Sequence, residues 1–87
     1  MSTSYTTIKG PQEGVDKAIM DHIAGNPSSR GEMQAQILKM DHANGRDVTQ
    51  NAIASQKALE QYGNKMTDQV REELQNAINM VLNKSTN

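Results

Sequence analysis

The 87 residues contain no cysteine, no tryptophan and no phenylalanine, and the aromatic side chains are Tyr5 and Tyr62. Without cysteine no disulfide can reinforce a small core, and no spacing of His, Asp and Glu matches a zinc site. Absence of thiols fits either redox compartment and decides nothing about location. Basic runs are missing as well. Nine Lys and Arg stand against ten Asp and Glu, interspersed, for a net charge of −1. Binding nucleic acid by counterion release needs clustered cations, so nucleic acid is not an expected partner. No apolar stretch approaches the ~20 residues that span a bilayer. The opening segment, Met1-Ser2-Thr3-Ser4-Tyr5-Thr6-Thr7, has neither a basic n-region nor an apolar h-region, so no cleavable secretory signal is expected there. No nucleophile–base arrangement is visible, and Gly10 and Gly14 lack the strand and spacing of a phosphate loop. Neither catalysis nor a cofactor is expected.

What is present is a chain long enough for one domain only. Its hydrophobic fraction is 34%, while ordering the backbone alone costs about 1–2 kcal/mol per residue. So few bulky residues point to extra burial against other chains, hence a homo-oligomer. A marginal three-helix monomer is the competing expectation.

The strongest local signal is Asn26-Pro27-Ser28-Ser29-Arg30-Gly31-Glu32. Pro27 lacks a backbone donor and its ring disfavours helix at Asn26. Gly25 is placed to supply a left-handed C-terminal cap, and Ser29 with Glu32 has capping-box spacing. One helix closes and another opens there. The pattern predicts an all-α fold, a helical hairpin bent at this point with a long C-terminal arm.

Residues 1–11 are Ser/Thr-rich, end in Gly10-Pro11 and are read as a flexible polar arm. Residues 12–84 form the hairpin domain and 85–87 a disordered tail. In the first arm Val15, Ile19 and Ile23 recur every four residues. After the bend, Met33, Ile37 and Met40 follow at spacings of four and three, a coiled-coil-like seam. The same count continues through Asn44, Val48, Ala52, Ser55, Leu59 and Tyr62. Asn44-Gly45 interrupts it and reads equally well as a turn, with Asp47 and Gln50 able to cap a fresh helix. The kept register favours a continuous helix. Gly63-Asn64 is a second interruption, after which Thr67 or Asp68 is an N-cap candidate. Val70, Leu74, Ala77 and Val81 then draw the cleanest stripe, widened by Ile78 and Leu82. The residues expected to meet neighbouring subunits are Val15, Ile19, Ile23, Met33, Ile37, Met40, Leu59, Val70, Leu74, Ile78 and Val81.

Met-Asp-His occurs twice, at Met20-Asp21-His22 and Met40-Asp41-His42. In a hairpin bent near Ser28 the two histidines fall on the order of 12 Å apart along the helices, and neither has an i+4 ligand partner. Both read as surface residues at helix ends, where a protonated imidazole suits the dipole. Gln and Asn are frequent, among them Gln34, Gln36, Gln56, Gln75 and Asn79. They read either as solvated faces or as amides that hydrogen-bond between subunits.

The stretch from Val15 to Gln36, VDKAIMDHIAGNPSSRGEMQAQ, resembles the needle subunits of bacterial type III secretion systems and the related inner-rod and Hrp-pilus subunits. There too a helix ends in a small-residue–Asn-Pro-Ser bend and leads into a Gln-rich second arm. Pro27 and Ser28 match the first half of that family's Pro-Ser-x-Pro turn. Arg30-Gly31 stands near the second proline's place, and the family's Tyr-rich segment is absent. The resemblance implies a non-enzymatic structural subunit that self-assembles into a filament or rod of a secretion apparatus. Its partners would be other apparatus proteins or a chaperone, and its place would be secreted, at the bacterial cell surface. The alternative is a small soluble, cytoplasmic helical-bundle adaptor or chaperone that binds a partner helix.

Overall fold

The computed structural model describes the backbone of residues 9–83 and the side chains of residues 14–83. These residues form four α-helices: α1 (Lys9–Gly25), α2 (Pro27–Ala43), α3 (Thr49–Tyr62) and α4 (Asp68–Leu82). A single 3-10 turn, Gly63–Lys65, precedes α4. The fold is all-α, as the periodicities predict. It differs from a two-armed hairpin because the second arm is cut twice. Residues 9–11, assigned to the polar arm, belong to α1, where Pro11 is tolerated in a first turn whose N–H groups have no helical partner. The rest of that arm and the tail at 85–87 lie outside the described residues.

The expected continuity through Asn44-Gly45 is not found. Gly45 adopts φ +80°, a left-handed conformation that costs glycine little and other residues much. Residues 44–48 are not helical. Asp47 then accepts a hydrogen bond from the Thr49 N–H at 3.1 Å. The Thr49 side chain and that N–H together hold the Asp47 carboxyl below the usual aspartate range.

At the Pro27 bend the caps differ from those expected. Asn26, not Ser29, is the N-cap of α2, accepting from the Ser29 N–H at 3.4 Å, and Pro27 occupies the first turn. Gly25 is helical and not left-handed. The Arg30 guanidinium lies against Gly25, over the place a Cβ would take. From there Arg30 donates to the His22 carbonyl at 2.9 Å, closing the C-terminal end of α1 with a cation.

Packing follows from the short connections. The turn at 63–67 makes α3 and α4 an antiparallel pair, bridged by Gln75 Nε2 donating to Gln56 Oε1 at 2.8 Å. Arg71 ties that turn, donating to the carbonyls of Gly63 and Met66, each at 3.0 Å. Thr67 caps α4 by accepting from the Val70 N–H at 3.2 Å. Helix α2 lies on α4 and helix α1 lies on α3.

The core joins all four helices. Ile23, Leu38, Leu74 and Ile78 are its largest fully buried apolar side chains, filled in by Ala35, Ala52, Ala58 and Ala77. So much alanine means that helix backbones approach closely. The radius of gyration, 12.5 Å, is near the roughly 12 Å of a folded domain of this length and far from the ~29 Å of an unfolded chain. The scarcity of bulky residues is met by close packing inside one chain.

Candidate functional site

Two surface features stand out, one at the bend and one on the outer side of α2. At the bend, α2 and α4 begin side by side. Ser28 Oγ accepts from the Thr67 N–H at 2.9 Å, and Gly31 lets the helices meet, since a Cβ there would lie 3.0 Å from Val70 Cγ1. A cleft of about 550 Å³ opens between the two N-terminal ends. Asn26, Ser28, Ser29 and Glu32 line it from one side, Thr67, Gln69, Val70 and Glu73 from the other. Asn26, Ser28, Ser29 and Glu32 of the bend thus share one cleft, while Pro27, Arg30 and Gly31 do not line it. Its hydroxyls and amides largely satisfy the helix ends, and its two carboxylates face no lining base. The arrangement supplies hydrogen-bonding groups of both helix ends.

The second feature is apolar. Met33, Ile37 and Met40 are 48%, 39% and 63% exposed, although the spacing marked them as a seam. They form one stripe along α2, turned away from its buried face of Gly31, Gln34, Ala35 and Leu38. On a helix with 100° per residue those four centre well over a quarter-turn from Met33, Ile37 and Met40. Met80 is the remaining exposed large apolar residue of the described chain. Scattered exposed apolar side chains are ordinary; three in register on one helix form a surface that can meet another helix.

The other expected contact residues lie elsewhere. Ile23, Val70, Leu74 and Ile78 are inside the core, and Ile19, Leu59 and Val81 pack against it while partly exposed. Val15 is half-buried on α1. The α4 residues among them are covered within this chain, by α2 and α3. Of the eleven residues assigned to subunit contacts, only those on α2 form an open face.

The sequence places Gln34 among amides of solvated faces or subunit contacts; the structure buries it inside the chain. Its Nε2 donates to Ser55 Oγ at 3.1 Å, and Ser55 donates to the Asn51 carbonyl at 2.7 Å. The one sign of this in the sequence is Ser55 standing in the register of an apolar stripe. His22 and His42 fall in the last turns of α1 and α2, and among the described residues no group of three or more His, Cys, Asp or Glu converges to hold a metal. No described helix is long and apolar enough to cross a membrane. No protein-family model, curated protein or solved structure matches the chain.

Proposed function

We propose that the protein is a non-enzymatic interaction subunit, a small helical bundle that associates with other protein chains by helix packing through the outer face of α2. The observation that carries this reading is the Met33–Ile37–Met40 stripe on a helix whose opposite side is already engaged in the core. Methionine suits such a face, since its unbranched, polarisable side chain adapts to differently shaped partners. This is the adaptor reading of the sequence. A rod-forming secretion subunit, which the needle resemblance implies, would have to assemble through this same face, because Leu74 and Ile78 are held inside the bundle.

Methyl NMR with a synthetic amphipathic Leu/Lys helix as probe tests the reading. The methyl signals of Met33, Ile37 and Met40 should shift on titration, while those of Ile78 and Met80 stay in place. Ile37→Glu should weaken probe binding about tenfold or more, since each buried apolar side chain contributes about 1.5–3 kcal/mol and 1.4 kcal/mol is a factor of ten. Binding without shifts on α2, or no binding at all, would overturn it.

A further inference from the structure

We propose that the chain which covers the α2 stripe is a second copy of the same protein, with the two α2 helices antiparallel about a twofold axis level with Ala35 and Gln36. The inference rests on the interaction reading above and names the partner. Reversal about that level sets Met33 of each copy opposite Ile37 of the other, and Met40 over the aliphatic stem of Arg30. Antiparallel helices pair their apolar positions in this alternating way, and a twofold interface requires a patch that complements itself.

The flanks of the stripe agree with the same axis. Arg30 and Asp41 lie on one side of it, toward opposite ends of the helix, so reversal brings Arg30 of each copy to Asp41 of the other. Both groups keep capacity for the contact. Arg30 gives one nitrogen to the His22 carbonyl from a fork of five donors, and Asp41 takes Arg46 on one of two oxygens. On the other flank the exposed Gln36 meets Gln36, and an amide pair can exchange donor and acceptor without burying charge. A net charge of −1 per chain sets almost no repulsion between copies.

The size of the strip sets the strength. Helix α2 has 17 residues, about 25 Å of length at 1.5 Å per residue, and one helix face of that length falls short of the ~800 Å² per partner of a standard interface. The dimer should therefore dissociate on dilution.

Because the chain contains no cysteine, one introduced thiol reports on one position. Gln36→Cys treated with a short bis-maleimide should give a covalent dimer in several-fold higher yield than Glu72→Cys, an exposed position on α4. Adding Ile37→Glu to Gln36→Cys should bring the yield down to that control, with circular dichroism confirming an intact bundle. Equal yields at positions 36 and 72 would overturn self-pairing. If yields are equal while the Leu/Lys helix still shifts the α2 methyls, the face binds a different protein and only the twofold inference fails. If the probe also leaves α2 unshifted, the interaction reading fails with it.

Discussion

Gln34 and Ser55 show how a polar residue earns a place in a core made mostly of alanine. At 4% exposure Gln34 needs Ser55 as its acceptor, because water cannot replace a lost partner there. Ser55→Ala should cost about 1–3 kcal/mol, as it leaves the Gln34 amide without its acceptor. Gln34→Leu removes the same bond but leaves Ser55 bound to the Asn51 carbonyl, so its cost should be smaller. The double substitution should cost less than the sum of the two, which chemical denaturation of all four proteins measures as a coupling energy. Strict additivity would mean the bond contributes nothing. Neither residue was legible as core, because a burial pattern read from hydrophobicity cannot register a polar pair satisfied across helices.

At the scale of the element, the sequence was informative in proportion to how one-sided each helix is. Helix α4 buries Val70, Leu74, Ala77 and Ile78, four members of its apolar stripe, and Thr67 caps it as its side chain suggests. Helix α2 carries its large apolar residues outside and Gly31, Gln34, Ala35 and Leu38 inside, so periodicity marks the outward stripe and leaves unmarked the small-residue face that packs in the core. The reason is steric: where α2 meets α4 at Gly31, a Cβ would stand 3.0–3.3 Å from the Val70 and Met66 side chains, which would have to give way by a few tenths of an ångström. The bend at Pro27 was legible, its cap was not, since Asn26 and Ser29 both have capping chemistry. Replacing Pro27 and Ser28 together by Ala removes the break signal, and local propensity would fuse α1 and α2. Tertiary packing opposes that, because a straight helix would lift the fully buried Ile23 off the core at about 1.5–3 kcal/mol, with Ile19 and Met20 adding to it. Fusion returns only fractions of a kcal/mol per residue. The variant should keep its helicity and bend and lose about 1 kcal/mol with the Ser28–Thr67 bond. Slow hydrogen exchange retained along α1 and a slightly lowered Tm would show it; an α1 that exchanges freely would mean the proline alone holds the bend.

For the whole molecule, the decisive distinction is between apolar residues that hold the chain together and those that remain for a partner. Leu74 and Ile37 are both apolar residues of helical seams, and the sequence assigned them the same role. Leu74 is fully buried among residues of its own chain; Ile37 is 39% exposed on α2. Leu74→Asp removes a buried side chain worth about 2–3 kcal/mol and places a carboxylate where no cation faces it, at further cost or with its pKa forced upward. A domain of this size has a total stability of only about 5–15 kcal/mol, so the variant should lose cooperative unfolding and most of its ellipticity at every protein concentration. Ile37→Glu should leave ellipticity and Tm nearly unchanged and alter only association. If Leu74→Asp stays helical and instead becomes a dissociated monomer, the α4 stripe packs between subunits and the bundle is not the assembled form. Circular dichroism and sedimentation run on both variants across the same concentrations separate the two outcomes, because unfolding of a core residue is independent of concentration and dissociation is not.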